Sequence, residues 1–509
     1  MRLKNIPVYA LLSISFFSCT KLDEKLNGRL SGEEAQSLFG GSNPDVSALL
    51  KSTYDAMRGP FQDQSRWWAA QEHTSDETLG PTRGGDWDDN GVWRVLHTHQ
   101  WDANHGFLSD TYRDIGRVVF AATDLLRFNP PTGAAAEGRF LRAYASFAWL
   151  DGWDQVPYRE NTGDPYEVPK VRKGTDALNY IISEIEAALP NLPDGPANKA
   201  NKDAAKALLM KLYLNKGVYA NRQSPAFDAA DMNKVISLAN EIINSNKYSL
   251  TENFFDNFAP KNDALSKENI WTLENRGGDQ AGNVRFHWYS TLHYNSPIAG
   301  GGWNGFTTLS EFYDKFSPDD KRVGGDYPGV TDRSGLKVGF LLGQQYNASG
   351  EALKDRTGAP LAFTREVNLV ETGKNLEVTG IRVVKYPPDF NSGDNVDNDF
   401  VIFRLADVLL MKAEALLRSN RAADALPLVN EVRKRAGIGT LNSVNLDQLL
   451  EERGRELYWE GWRRQDLIRF GKFLEPWQHK PSGNPKNLLF PIPARSLAAN
   501  PNLEQNPGY

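Results

Sequence analysis

Aromatic side chains concentrate in two polar segments of the chain. The first runs from Trp67 to Trp101 and interleaves five tryptophans with carboxylates, arginine and asparagine, and the second runs from Phe286 to Phe306 around a glycine run. An aromatic ring can cover the apolar C–H face of a sugar, while Asn, Asp and Arg side chains hydrogen-bond to its hydroxyl groups. The two segments therefore predict a carbohydrate-binding surface.

Eleven residues in these segments are predicted to contact the ligand. They are Trp67, Arg83, Asp86, Trp87, Asn90, Trp288, Tyr289, Tyr294, Asn295, Trp303 and Asn304. Trp87 lies in RGGDWDDNG, which is too polar and glycine-rich to predict packed interior. A large core also consumes tryptophan, so a structural role is the alternative for each one. Trp93 and Trp101 lie among Val95 and Leu96 in a strand-like alternation, and we predict that both are core.

Catalytic chemistry is the main alternative to binding. His97, His99 and His105 in HTHQWDANH are residue types that can bind zinc, but hydrogen-bonded loop histidines are favoured, so no metal site is predicted. Ser334 and Lys337 have an SxxK spacing without the companion motifs of penicillin-recognising enzymes. The chain has no P-loop, dinucleotide fingerprint, HExxH motif or nucleophile elbow. We predict a protein that is not an enzyme and holds no cofactor, with a surface glycoside hydrolase as the competing class.

Composition sets limits on the partners. The chain has 509 residues, a formal net charge of −6 and 13 tryptophans. No basic patch or acidic tail stands out, so nucleic acid is a poor candidate partner.

The N-terminus predicts a leader and a lipid anchor. Arg2 and Lys4 precede an apolar run over residues 6–17, which is typical of a signal peptide at residues 1–18. Cys19 follows directly and is the only cysteine, so it cannot form an internal disulfide. Its position is that of the acylated cysteine of a bacterial lipoprotein. Acyl chains would anchor the chain without a transmembrane helix.

Apolar periodicity predicts helices in the first half of the chain and again after residue 400. The predicted helices span residues 45–57, 109–127, 134–153, 175–189, 202–218, 231–244, 403–418 and 421–436. Residues 251–400 are rich in Gly, Asn and Asp, and predict loops with short strands around 336–341 and 381–385. EERGRELYWEGWRRQDLIRFG, from Glu451, predicts a helix broken at Gly454 and Gly461. The proline-rich tail is predicted to be a non-helical strap.

Four motifs in sequence order resemble the SusD/RagB family of surface glycan-capture lipoproteins. They are GRFLRAYASFAWLDGWDQVPY, FRLADVLLMKAEALLR with ALPLVNEVRKRAG, EERGRELYWEGWRRQDLIRFG, and LLFPIPARSLAANPNLEQNPGY. The resemblance implies a mainly α fold, with tetratricopeptide-like helix pairs forming a scaffold and a long loop-rich insertion carrying the ligand site. It gives a single domain at 19–509: helical scaffold at 44–250 and 400–475, ligand-binding region at 251–400 with loop 62–105, and strap at 476–509.

The resemblance also implies a function. Members hold an oligosaccharide or glycan at the cell surface and pass it to a SusC-like TonB-dependent transporter in the outer membrane. Asp23 and Glu24, just after the cysteine, resemble a signal for export to the outer face of that membrane. Some members of the wider family serve peptide import, so a RagB-like peptide-capturing protein is the alternative. The concentration of Trp and Tyr in loops favours sugar over peptide.

Overall fold

Helices build both ends of the folded chain. The computed structural model describes residues 45–162, 164 and 166–509, and Asp45–Tyr509 is one compact unit. The longer helices are α1 (Val46–Gln62), α4 (Gly106–Arg127), α5 (Thr132–Trp153), α6 (Gly174–Ala188), α7 (Lys202–Ala220), α8 (Ala229–Asn244), α13 (Leu405–Arg418), α14 (Ala422–Arg435) and α15 (Leu446–Leu457). The short helices are α2 (Trp67–Glu72), α3 (Val92–His97), α9 (Asn262–Leu265), α10 (Arg285–Tyr289), α11 (Ser310–Tyr313), α12 (Thr331–Ser334), α16 (Arg463–Arg469) and α17 (Ala494–Ala499).

The predicted mainly α fold is confirmed, with 45% of the described residues in helices and 10% in strands. Each of the eight predicted helices is present, with ends shifted by a few residues. The largest shift is in α1, which runs on through Pro60 to Gln62 because Phe61 and Gln62 are buried. Among the described residues, no helix is both long and apolar enough to span a bilayer.

Consecutive helices pack side by side to form the scaffold. α4 packs on α5, α5 on α6, α7 on α8 and α13 on α14. α5 is the central helix, because its side chains are almost continuously buried from Ala136 to Trp153. Side-chain caps begin several of these helices: Asp45, Asn201 and Asp228 accept backbone N–H bonds in the first turns of α1, α7 and α8.

Short strands organise the middle of the chain. They are β1 (Thr82–Arg83), β2 (Gln155–Tyr158), β3 (Lys170–Lys173), β4 (Asn269–Leu273), β5 (Gly324–Gly325), β6 (Val338–Leu341), β7 (Gly343–Gln344), β8 (Ala362–Phe363), β9 (Val370–Glu371), β10 (Arg382–Val384) and β11 (Phe400–Arg404). β6 and β10 are the two predicted strands; they pair antiparallel, with β5 on the other edge of β6. β4 pairs antiparallel with β11, and this ribbon leads directly into α13.

Segments predicted to be loop or strand contain helices. The loop predicted at 62–105 contains α2 and α3, and Trp93 is a buried residue of α3 and not of a strand. Burial of Trp93 and Trp101 is confirmed. The strap predicted at 476–509 is not helix-free, because it includes the six residues of α17. This helix lies between Pro493 and Pro501 and contains neither proline.

The break between α15 and α16 lies at residues 458–462. Trp459 has a φ of 59° and Gly461 a φ of 80°, so the chain turns there through left-handed backbone. Gly454 does not break the helix and lies inside α15. A Cβ on Gly454 would come within 2.7 Å of Arg463 Nη1, so this glycine makes room for a buried guanidinium.

The C-terminal segment is fastened over the end of α5. The Phe490 N–H donates to the Gly152 carbonyl at 2.8 Å, and Trp153 Nε1 donates to the Pro491 carbonyl at 3.0 Å. Asn506 Nδ2 donates to the Trp153 carbonyl at 3.0 Å. These bonds satisfy buried backbone groups that would otherwise destabilise the fold.

Candidate functional site

The segment that carries Trp87 begins as a tight turn. β1 pairs in parallel with β9, and the Arg83 and Asp86 backbones then exchange hydrogen bonds of 2.8 and 3.1 Å. Trp87 follows with a φ of 60°, a conformation that bulky residues adopt only where the surroundings hold them. The turn therefore directs Trp87 away from the strand.

The second aromatic segment folds back on α10. The Trp303 N–H donates to the Tyr289 carbonyl at 2.6 Å, and the Gly302 N–H donates to the His293 carbonyl at 2.9 Å. A Cβ on Gly302 would meet the Leu292 carbonyl oxygen at 1.9 Å. This close backbone approach explains why the sequence needs glycine beside Trp303.

The two segments meet, as the sequence predicts for a shared surface. Trp87 Nε1 donates to the Trp303 carbonyl at 2.6 Å. A Cβ on Gly305 would meet Trp87 Cε2 at 2.3 Å, so the indole lies flat against the backbone there. Leu79 and Thr307 form a β-bridge below this contact. Residues more than 200 positions apart thus form one surface.

Three aromatic side chains form what we call the aromatic ledge: Phe286, Tyr289 and Trp303. The Tyr289 and Trp303 rings stack at 5.6 Å between centroids and 26° between planes, and Phe286 packs against Trp303 at 4.9 Å. Trp303 is 36% exposed. The Tyr289 hydroxyl donates to the Ala299 carbonyl at 2.8 Å, which fixes the ring. An exposed ring held in place offers a platform for stacking without much entropic cost on binding.

Four polar residues form what we call the polar rim: Asp86, Tyr294, Arg356 and Glu377. Asp86 accepts hydrogen bonds from the Tyr294 hydroxyl and from Arg356 Nη2, the latter at 3.2 Å. Arg356 lies 3.7 Å over the Tyr294 ring, and its Nε donates to Glu377 at 2.6 Å. Burial and the bond to Asp86 raise the pKa of Tyr294, so it stays a neutral donor. Paired charges and a phenol are suited to hydroxyl groups.

Sequence reasoning missed half of the polar rim. Arg356 and Glu377 lie in the predicted loop region, without aromatic neighbours in sequence or any periodicity. No local signal marks them, because their role comes from contact with Asp86 and with His293, whose Nε2 lies 3.0 Å from Glu377.

Four of the predicted contacts are buried, so the structure does not place them on this surface. Trp67, Arg83, Trp288 and Asn304 are 6%, 1%, 3% and 0% exposed, respectively. Trp67 belongs to α2 and packs on Trp153, at 6.1 Å between ring centroids. Arg83 donates to the Leu376 and Thr379 carbonyls, at 2.7 and 2.8 Å. These side chains support the loops from beneath.

The two remaining asparagines are exposed. Asn90 lies in the turn after Trp87, with a φ of 55°, and Asn295 Nδ2 donates to the Lys354 carbonyl at 2.9 Å. Asn90 lies three residues after Trp87, and Asn295 directly follows Tyr294 of the polar rim. They stay predicted ligand contacts.

The histidines of HTHQWDANH bond to backbone carbonyls. His97 contacts the Thr78 carbonyl, His99 the Thr74 carbonyl at 2.8 Å, and His105 the Val92 carbonyl at 3.0 Å. Burial lowers the pKa of His97 to about 4, so the ring is neutral. In the part of the chain that the structure describes, no group of three or more His, Cys, Asp or Glu side chains is arranged to hold a metal ion.

Comparison with known proteins agrees with this architecture. The model of the SusD family matches residues 267–509. The chain is 29% identical to the starch-binding protein SusD of Bacteroides thetaiotaomicron, over 74% of this chain and 72% of that protein. The C-terminal half of the chain is therefore similar to the SusD family.

Solved structures of SusD-like proteins share the fold. A laminarin-binding SusD-like protein superposes with a TM-score of 0.69 at 21% identity, over 91% of this chain and 99% of that one. A SusD superfamily protein from Parabacteroides distasonis gives a TM-score of 0.72 at 18% identity, over 91% and 98% of the two chains. The match covers the scaffold and the loop region together.

Proposed function

We propose that this chain binds an oligosaccharide or glycan on the aromatic ledge, with the polar rim bonding the sugar hydroxyls. The observation that carries this proposal is Trp303, a 36% exposed indole stacked on Tyr289. The names of the relatives support it, since one binds starch and another laminarin. Both are glucans, which makes glucan oligosaccharides the first probes.

The polar rim supports a neutral ligand. Arg356 already bonds to Asp86 and Glu377, so its charge is offset before any ligand arrives. Binding a neutral sugar leaves these pairs intact, whereas an anionic ligand would compete with two carboxylates for one guanidinium.

We also propose that the chain works at the surface of the outer membrane. In this proposal Cys19 carries the lipid anchor, and the bound glycan is delivered to a SusC-like TonB-dependent transporter. The support is the leader sequence with its sole cysteine and the similarity of residues 267–509 to the SusD family. Residues 1–44 lie outside the described part of the chain.

Truncating the exposed indole tests the binding site. Trp303→Ala should weaken the binding of maltohexaose or laminarihexaose by about 1–3 kcal/mol, taking aromatic stacking on nucleic acid bases as the guide. Calorimetric titration of the purified protein with each sugar measures this loss. The melting temperature should change little, since a core Trp→Ala costs about 3–5 kcal/mol and Trp303 is partly exposed.

The matched control is Tyr166→Ala, which removes a 66% exposed aromatic outside the ledge and should leave affinity unchanged. Equal affinity of Trp303→Ala and the parent protein for every sugar that the parent binds would refute the placement of the site.

A further inference from the structure

A second cavity lies away from the aromatic ledge. It encloses about 610 Å³ between α11, α15, α16 and the segment around Trp477. None of its lining residues belongs to the ledge or to the polar rim. A volume in this range is typical of small-molecule sites.

The charges of this cavity are balanced and already paired. Five carboxylates and five cationic side chains line it. Arg463 donates to both oxygens of Asp76, at 2.7 and 2.8 Å, and Lys315 pairs with Glu451 at 2.8 Å. Because the cations have partners, the lining does not favour an anionic ligand. It offers many hydrogen-bonding atoms to a neutral polyhydroxylated molecule.

An aromatic platform forms part of the wall. Trp477 is half-buried, and its backbone exchanges hydrogen bonds of 3.1 and 2.9 Å with Lys480 across a tight turn. The turn is held from two other elements, since Gln478 N donates to Glu311 at 2.9 Å and the Gln478 carbonyl contacts His97 at 2.9 Å. The indole is therefore preorganised, as stacking on a sugar requires.

We propose that this cavity is a second carbohydrate site, which takes a short neutral oligosaccharide with one sugar ring against Trp477. The site is separate from the aromatic ledge, so one chain could hold two segments of the same glycan. Binding two segments of one chain raises avidity through effective concentration, without new contacts at either site.

Titration of single and double variants tests this proposal independently of the ledge. The probes are maltohexaose and laminarihexaose at up to millimolar concentration. Each chain of the parent protein should bind two molecules of at least one of these sugars. Trp303→Ala should retain one equivalent. Trp477→Ala in that background should weaken the remaining binding about tenfold or more. Tyr166→Ala in the same background is the control and should keep the remaining equivalent.

A second variant guards against misfolding, because Trp477 also packs on His99 and Phe473. Leu441→Trp adds an indole at a half-buried lining position, and should block the cavity while leaving Trp477 in place.

The outcomes separate the two sites. If Trp303→Ala abolishes all sugar binding, the second site is refuted and the proposed function stays intact. If Trp477→Ala and Leu441→Trp each remove sugar binding and Trp303→Ala does not, the result supports the cavity as a binding site and refutes the aromatic ledge. If Trp303→Ala binds neither sugar at millimolar concentration, or if Leu441→Trp binds as the parent does, the cavity is not a carbohydrate site.

Discussion

Trp87 shows how a single residue depends on its contacts. Its φ of 60° is unfavourable for a bulky side chain, and the indole is held by the bond to the Trp303 carbonyl and by the flat contact with Gly305. Trp87 also packs on Trp93 and Phe306, at 5.9 and 4.9 Å between ring centroids. Its ring therefore links the core to the ligand surface, and simple removal would affect both stability and binding.

Moving the ring without removing it separates these two effects. A methyl group on Gly305 would clash with Trp87 Cε2. The φ of Gly305 is not positive, so the backbone conformation there is one that alanine can adopt. Gly305→Ala should therefore displace the indole and weaken glycan binding by about 1–3 kcal/mol. Calorimetric titration measures the affinity.

Gly85→Ala is the matched control in the same turn, since a Cβ there meets nothing within 4 Å, and it should bind as the parent does. If Gly305→Ala lowers only the melting temperature, Trp87 acts as core alone.

At the scale of elements, a buried guanidinium joins the β4–β11 ribbon to α15. Arg404 ends β11 and bonds to Glu456 at 2.6 Å, to Glu268 at 2.6 Å and to Glu460 at 2.8 Å. The side chains are at most 2% exposed. Excellent geometry is what allows such charges to stay buried, because desolvation would otherwise outweigh their attraction.

Arg404→Met should lower the free energy of unfolding by about 3–5 kcal/mol, since it leaves buried carboxylates with fewer partners. Arg421→Met removes an arginine that is 50% exposed and pairs with Asp424, so its effect should be about 0–1 kcal/mol. Chemical denaturation of both variants measures the difference. Equal losses would contradict the special role of the buried cluster.

Two carboxyl groups connect α2 to the turn between α15 and α16. Glu72 accepts a bond from the Gly461 N–H, and Glu77 accepts one from the Trp459 N–H at 2.9 Å. Burial raises the pKa of Glu72 to about 7 and also raises that of Glu77. In the unfolded chain an ordinary Glu has a pKa of about 4.3. The folded protein therefore keeps a proton on these carboxyl groups up to a higher pH than the unfolded chain does.

This pair predicts a loss of stability as pH rises. Protons bind more tightly to the folded state, so stability falls between about pH 4.3 and 7 and stays lower above that range. Glu72→Gln mimics the protonated form. The drop in melting temperature from near pH 5 to near pH 8 should therefore be smaller in Glu72→Gln than in the parent. Glu431→Gln, at an exposed position, is the control and should keep the parental drop. If the melting temperature of Glu72→Gln falls as much as that of the parent, the Glu72 and Glu77 pair does not hold an extra proton in the folded state.

At the scale of the whole molecule, the scaffold presents its binding loops on one compact unit, Asp45–Tyr509. The C-terminal strap closes over α5 and ties the last residues to the first helices. A compact unit of this kind suits the proposed role of holding a ligand at a membrane surface through a single N-terminal anchor. The anchor itself stays a prediction from the sequence.

Cys19→Ala should release the protein from the outer membrane, because no acylation could then occur. Cell fractionation measures this, with Ser18→Ala as the neighbouring control that should stay membrane-bound. Mild detergent extraction of the parent should co-purify a SusC-like transporter. Membrane retention of Cys19→Ala equal to that of the parent would refute the anchor, and recovery of the parent alone would count against the partner.

The sequence by itself determined the helices, the two aromatic segments and the resemblance to the SusD/RagB family. Helices were predictable because apolar periodicity and capping are local properties, as the bounds of α5 and α13 show. The sequence predicted ligand contacts in both the Trp87 segment and the 286–306 segment, whereas the hydrogen bond that joins the two segments is known from the structure.

Only the tertiary structure decided which side chains face a ligand. Arg83 and Asn304 have the polarity of a binding residue, yet both are buried, and Arg83 donates to a backbone carbonyl distant in sequence, that of Leu376. Arg356 and Glu377 join the polar rim through contacts with Asp86 and His293, residues far away in the chain. Exposure and pairing are properties of packing, and packing depends on contacts that no local pattern encodes.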